Sequence, residues 1–335
     1  MEVPEVKALL KIRSFEKGFD EQAYVRIYNT CFRDYDDIRS MTLDELREME
    51  EFMSFSTDGV LIAEWNGEIA GMVNAYVDKQ REEPKGFIQS LAVLPEFRGK
   101  GIATRLVEKA IESLRQRGMK TAEAWAQTDR KTCMRVFEGF GFKQARVGSV
   151  MKRIVADVPS NTRENNSVKM RQIRPKNDDD VLLANRLDNE AFKEHFNYRP
   201  RSLEETKHML SGLPFFKQQD GYFAVLDGQP VGYVIVGIDA ELNEEKKVKY
   251  GWILDIGVLQ PYRRMGIGTS LMLAGLQWIR LKHMDEAWLY VDDLNPTGAF
   301  KLYAKLDFEV AKKNLAYQLE YLNDIQPCPS FEAFT

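Results

Sequence analysis

Asp255-Ile-Gly-Val-Leu-Gln-Pro-Tyr-Arg-Arg-Met-Gly-Ile-Gly268 runs from an apolar strand end, through a proline-containing turn, into a long helical stretch. A second stretch has the same plan: Leu91-Ala-Val-Leu-Pro-Glu-Phe-Arg-Gly-Lys-Gly-Ile-Ala103. Glycine before a helix lets the backbone approach an anion, and the free N–H groups of the first helical turn point at it. Three glycine motifs compete for this role. A Walker A loop requires GxxxxGK[ST], which neither stretch has. A dinucleotide fingerprint requires GxGxxG, and the third glycine is missing from both Gly99-Lys-Gly101-Ile-Ala-Thr104 and Gly266-Ile-Gly268-Thr-Ser-Leu271. An RxxGx[GA] loop fits both, with Arg98, Gly101 and Ala103 in one and Arg263, Gly266 and Gly268 in the other.

Working outward, the duplication extends over most of the chain. Asn29-Thr-Cys-Phe32 returns as Asn189-Glu-Ala-Phe192, at an offset of 160. Ala63-Glu-Trp-Asn-Gly67-Glu-Ile-Ala-Gly71 returns as Ala224-Val-Leu-Asp-Gly228-Gln-Pro-Val-Gly232, at an offset of 161. Val136-Phe-Glu-Gly-Phe-Gly-Phe142 returns as Leu302-Tyr-Ala-Lys-Leu-Asp-Phe308, at an offset of 166. Matches in one order with a slowly rising offset describe a duplicated domain. The few extra residues of the second copy fall in the charged stretch Glu241 to Lys249, within which the run Glu244-Glu-Lys-Lys247 reads as a solvated loop. The polar segment from Ala156 to Ser167 has no apolar period and reads as a linker, which sets domains at 1–155 and 168–335.

Each copy predicts one order of elements. A strand (Leu9–Arg13; Val168–Arg174) precedes a helix (Gln22–Cys31; Asp179–Phe192). A second helix starts at the capping boxes Thr42-Leu-Asp-Glu45 and Ser202-Leu-Glu-Glu205. Two strands follow, joined by Asn66-Gly67 or Asp227-Gly228, both type I′ hairpin signals. A β-branched strand then enters the glycine loop and a helix whose stripe Leu106, Val107, Ala110, Ile111 and Leu114 is to be buried. A strand–helix–strand unit closes each copy. The expected fold class is α+β: a mixed, mostly antiparallel sheet flanked by helices, twice over.

Composition narrows the function. The chain has 335 residues, 44% apolar and 29% charged, and 47 basic against 51 acidic residues. A net charge of −4 does not point to a phosphate backbone as the main partner, although net charge hides local basic patches, and no nucleic acid is expected. Three well-separated cysteines, Cys31, Cys133 and Cys328, suit a reducing compartment, and no CxxC or Cys/His cluster suggests a metal. No apolar leader or run of about 18 apolar residues is visible, so neither signal peptide nor membrane span is expected and a cytoplasmic location is. His208 and His283 read as surface residues, and Trp65, Trp125, Trp252, Trp278 and Trp288 as core.

The two glycine stretches resemble the acetyl-CoA motif of the GNAT-type N-acetyltransferases. Asn295-Pro-Thr-Gly-Ala-Phe-Lys-Leu-Tyr303-Ala-Lys-Leu-Asp-Phe308 resembles that family's next motif, with Asp307 where a glycine is usual. The resemblance spans roughly residues 7–155 and 168–322. It implies two tandem GNAT domains and acyl transfer from acetyl-CoA to a small-molecule or peptide amine. It places the pyrophosphate on Arg263, Arg264, Met265, Gly266, Ile267, Gly268 and Thr269, and the pantetheine arm along Ile256, Gly257 and Val258. A backbone N–H near Val258 would face the thioester oxygen, Asn295 would contact the cofactor or orient its helix, and Tyr303 would protonate the leaving thiolate. In the first copy the matching cofactor residues are Leu91, Ala92, Val93, Arg98, Gly99, Lys100, Gly101, Ile102, Ala103 and Thr104. That copy has Phe137 in place of Tyr303 and Asp129 in place of Asn295, so the second copy is expected to be the catalytic one. Several family members carry a Glu base where Trp252 stands, which leaves Asp255, or an ordered water, as the base. Glu190, Glu194 and His195 are candidates for the substrate cleft. The competing reading is a coenzyme A-binding pseudoenzyme that senses or scaffolds without turnover. Two tandem domains resembling a dimer make a monomer plausible.

Overall fold

The computed structural model describes residues 9–50, 57–158, 167–212 and 215–320. The elements of the first repeat are β1 (Leu10–Ser14), α1 (Glu21–Cys31), α2 (Leu43–Glu50), β2 (Val60–Trp65), β3 (Glu68–Val77), β4 (Lys85–Val93), α3 (Ile102–Gln116), β5 (Thr121–Gln127), α4 (Lys131–Gly139) and β6 (Lys143–Ile154). The second repeat has β7 (Val168–Gln172), α5 (Asp178–Phe192), α6 (Leu203–Ser211), β8 (Gln218–Leu226), β9 (Gln229–Ile238), α7 (Ala240–Lys246), β10 (Tyr250–Val258), α8 (Ile267–Leu281), β11 (Glu286–Asp292), α9 (Ala299–Lys305) and β12 (Glu309–Glu320). Most of the expected linker, residues 159–166, lies outside the described residues.

Local chemistry explains these elements. Both hairpin turns place two consecutive residues at positive φ, Asn66 and Gly67 in one and Asp227 and Gly228 in the other, as the right-handed twist of the flanking strands requires. Both capping boxes form: Ser202 accepts from the Glu205 N–H, and Thr42 from the Glu45 N–H, while each glutamate reaches back to its cap N–H. The charged stretch expected as a solvated loop is instead the short helix α7. Asp239 caps it by accepting from the Leu242 N–H, and Leu242 is buried, so an apolar anchor and a cap outweigh the surrounding charge.

Within the first compact unit the sheet runs β1-β2-β3-β4-β5, with only β4 and β5 parallel. Its α3 buries the expected stripe from Leu106 to Leu114 against β3 and β4. The second unit repeats this with β7-β8-β9-β10-β11, again parallel only at β10 and β11. There α8 lies so close to β10 that a Cβ on Gly251 would sit 2.6 Å from the Ile279 side chain.

The compact units do not coincide with the two copies of the repeat. Among the described residues, one comprises those up to 146 together with 314–320, and the other those from 147 to 313. The last strand of each repeat completes the other unit's sheet: Asn314–Glu320 of β12 pairs antiparallel with β5, and Gly148–Ile154 of β6 pairs antiparallel with β11. Side-chain alternation in these strands satisfies either partner, so a repeat search cannot reveal the exchange.

At the start of α5, Asp180 is buried and receives Arg171 Nη1 at 2.8 Å, Arg174 Nε at 3.0 Å and the Arg174 backbone N–H at 2.9 Å. Burial opposes its charge, but these donors hold its pKa down to about 2. A carboxylate held below its unfolded value of 3.8 adds stability above that pH and loses it as the pH falls toward about 2. Asp180→Asn is therefore expected to lower the melting temperature by a few degrees at neutral pH, with the gap closing below about pH 4 in thermal melts.

Candidate active site

Both glycine loops adopt the same geometry. Arg98 Nε donates to the Val93 carbonyl at 3.1 Å, and Arg263 Nε to the Val258 carbonyl at 3.1 Å. Each arginine side chain thus ties the loop to the end of its strand. Gly101 (φ 72°) and Gly266 (φ 75°) start α3 and α8 from the left-handed region, which favours glycine. The first N–H to close a helical bond in α8 is that of Ser270, so those of Ile267, Gly268 and Thr269 precede any partner a turn back. Ile102–Thr104 and Ile267–Thr269 form first helical turns, each anchored by a buried isoleucine. The two loops differ at the surface. Lys100 folds back over the Trp65 and Phe97 rings, at 5.3 and 5.0 Å, whereas its counterpart Met265 is exposed. Arg264, at φ 65° where the first copy has Gly99, donates to the Thr297 carbonyl.

Upstream of each loop the two parallel strands separate. β10 pairs with β11 only from Tyr250 to Ile253, while Asp255 to Val258 stay on β9. A bulge at Leu254 marks the change. Leu91, Ala92 and Val93 occupy the same position on β4, which pairs with β5 only as far as Ile88. The backbone edge of Ile256, Gly257 and Val258 facing away from β9 is therefore open to an extended ligand, as in strand addition. This cradle of strand edge and helix N-terminus suits a pantetheine arm ending in a pyrophosphate.

The side chains around the opening come from α5, the segment before α6, β9, β10 and α9. Asp255 has a side chain 14% exposed, and Arg201 Nη1 lies 3.5 Å from its Oδ2. Arg201 Nε lies 3.5 Å from Asp188 Oδ2, and the Tyr233 hydroxyl donates to Asp188 Oδ1 at 2.7 Å. Burial pushes the Asp255 carboxyl above the usual carboxylate range. Arg201 works against this and Asp188 adds to it. Tyr303 on α9 is buried, and burial with the charge of Asp255 raises its hydroxyl so that it keeps its proton well past neutral pH.

The other expected site residues are distributed unevenly. Asn295 Oδ1 accepts from the Thr297 N–H and hydroxyl, at 2.8 and 2.6 Å, and so shapes the turn into α9. Glu190 is exposed and paired with Lys193, while Glu194 pairs with Arg263 at 3.3 Å. His195 Nε2 is buried without a hydrogen-bond partner, and burial followed by Arg263 favours its neutral form. Asp307 takes φ 59° where the first copy has Gly141 at 85°, which explains how an aspartate replaces a glycine there. Trp252 is half-buried against Trp288 and Phe216, and its indole N–H is buried without a partner. Trp278 and Trp288 are core as expected, whereas Trp125 is 38% exposed. Asp188, Arg201 and Tyr233 had no sequence signal, since each is separated from Asp255 by at least 22 residues of chain.

The Acetyltransferase (GNAT) family matches this chain twice, at residues 22–142 and 184–308. The chain belongs to that family, and it is an N-acetyltransferase with two GNAT domains. It is 31% identical over 241 residues to a mycothiol acetyltransferase of Thermobispora bispora, covering 72% of this chain and 77% of that protein. An uncharacterized N-acetyltransferase of Archaeoglobus fulgidus is 36% identical over 121 residues, or 35% of this chain and 81% of its own. Among solved structures, a tandem GNAT protein from the clavulanic acid biosynthesis pathway superimposes with a TM-score of 0.70 at 16% identity, over 95% of this chain and 100% of its own. A GCN5-related N-acetyltransferase from Sphaerobacter thermophilus does so with a TM-score of 0.67 at 21% identity, over 96% and 98%. Among the described residues no helix is long and apolar enough to cross a membrane.

Proposed function

We propose that the second GNAT domain transfers the acetyl group of acetyl-CoA directly to the primary amine of a small molecule. The observation that carries this reading is the contrast between the copies. Asp255 and Tyr303 belong to one, and Ser90 and Phe137 stand at the matching positions of the repeat in the other.

In this reading the loop from Arg263 to Thr269 receives the pyrophosphate on backbone N–H groups, aided by the helix dipole. The edge of Ile256 to Val258 holds the pantetheine arm. Asp255 takes a proton from the acceptor amine as its nitrogen forms a bond to the thioester carbonyl carbon. A backbone N–H near Val258 donates to the carbonyl oxygen as that oxygen gains negative charge. Tyr303 gives its proton to the sulfur as the carbon–sulfur bond breaks, which leaves free coenzyme A and the acetamide. The first domain keeps a coenzyme A loop without an acid, and serves to bind or to shape. The name of the Thermobispora relative supports a small-molecule acceptor.

Thiol release from acetyl-CoA with a panel of small primary amines tests this. Release that depends on the amine is expected, and Phe at position 303 should suppress it. Coenzyme A binding with no amine in the panel acetylated would favour the pseudoenzyme.

A further inference from the structure

The segment before α6 is held in the same way in both copies. In the second, Asn189 Oδ1 accepts from the Arg201 N–H at 2.7 Å, and Asn189 Nδ2 and Asn185 Nδ2 donate to the Arg201 carbonyl at 3.0 and 2.7 Å. In the first, Asn29 makes the matching pair of bonds to the N–H and carbonyl of Met41, at 2.7 and 2.9 Å. The clamp thus presents one side chain inward from a fixed backbone, an arginine in one copy and a buried methionine in the other.

The rest of the cluster changes with it. Asp188 corresponds to Tyr28, Tyr233 to Met72, Asp255 to Ser90 and Tyr303 to Phe137. The arginine and both carboxylates of one copy have no charged counterpart in the other, which also lacks the hydroxyls of Tyr233 and Tyr303, while the clamp that holds residue 201 is kept.

We propose that Arg201 and Asp188 are positioning residues that act on Asp255 in opposite senses, Arg201 holding it as an ionised carboxylate and Asp188 keeping that carboxylate basic enough to accept a proton. The proposal rests on Asp255 being the base. Arg201 lies between the two carboxylates, 3.5 Å from each, so its charge is shared and neither is neutralised outright. Asp188 is only 8% exposed and is fixed by the Tyr233 hydroxyl. The ionisable groups facing Asp255 are therefore Asp188 from α5, Arg201 from the clamped segment, Tyr233 from β9 and Tyr303 from α9. His195, beyond the end of α5, feels the charges of Arg263 and Asp292 more than those of Glu194 and Asp188. Buried like charges raise one another's proton affinity, and a buried cation lowers it.

The test is the pH profile of kcat/KM for the unaltered protein and three variants. Arg201→Gln should move the acid limb upward by at least one pH unit, a tenfold or greater loss on that limb that alkaline pH restores. Asp188→Asn should move the limb downward. Arg201→Lys, which keeps the charge, should leave the limb near its original place while lowering kcat. Acetyl-CoA affinity should be the same in all of them, which excludes a general loss of fold. Limbs that stay in place in Arg201→Gln and Asp188→Asn, or that move in the same direction in those two, overturn the proposal. Asp255→Asn separates this from the reading beneath it. If that variant turns over normally, Asp255 is not the base. The carboxyl carbon of Asp255, titrated by NMR in the wild type and in the Arg201 and Asp188 variants, then decides on its own whether the two neighbours act in opposition.

Discussion

Tyr303→Phe is expected to lower kcat by about 10²- to 10³-fold, the usual scale for loss of a general acid, with acetyl-CoA affinity and melting temperature nearly unchanged. The chain already contains the control. Phe137 fills the corresponding place of the first copy at 1% exposure, with its ring 5.5 Å from Phe142. Tyr303 lies 6.0 Å from Phe308 in the same arrangement. The phenyl ring therefore packs in both, and the hydroxyl is the only thing removed. Burial keeps that hydroxyl protonated through neutral pH, as a proton donor has to be. Turnover is read by thiol release and affinity by equilibrium binding of acetyl-CoA. An unchanged kcat would remove Tyr303 from the mechanism.

Asp255→Asn should lower kcat/KM by about 10²- to 10³-fold and flatten its rise from acid to neutral pH. It should also stabilise the fold at neutral pH, because the site is built at a cost. Burial, and then Asp188, raise the carboxyl above its unfolded value, with Arg201 offsetting only part of this. Between the ordinary carboxylate range and that raised value the folded protein holds more protons than the unfolded chain. Stability therefore falls as pH rises through that window and stays lower above it. The asparagine lacks this slope, so its advantage in melting temperature should be small near pH 4 and open toward pH 7. Thermal melts at the two pH values check the sign. A variant that is less stable at both would mean that Asp255 serves the fold more than the chemistry.

Much of this was legible in the residues. The RxxGx[GA] spacing, the Asn-Gly and Asp-Gly turns and the two capping boxes are local signals. Each is settled by neighbours within a few positions, and each has its expected geometry. The stripe on α3 was readable because helical period alone decides which residues face inward. Asp255 was visible as an acid on the strand before the loop. Its partners were not: Asp188 and Arg201 lie 67 and 54 residues earlier on other elements, and no periodicity connects them. Glu190, on the same helix as Asp188, lies on its exposed side, and Glu194 is exposed two residues beyond its end. A helix turns far enough within two residues to separate a buried acid from a solvated one.

By itself, the sequence determined that one α+β motif is written twice, that each copy opens a helix from a glycine loop, and that one copy has a tyrosine where the other has a phenylalanine. These follow from local backbone sterics and from comparing the chain with itself. Only the tertiary structure decided which strands complete which sheet, because a strand's alternation fits any edge of the right polarity. It also decided that a clamped arginine and a second aspartate stand around Asp255. Charges inside a protein act through space and burial, and neither is set by separation along the chain.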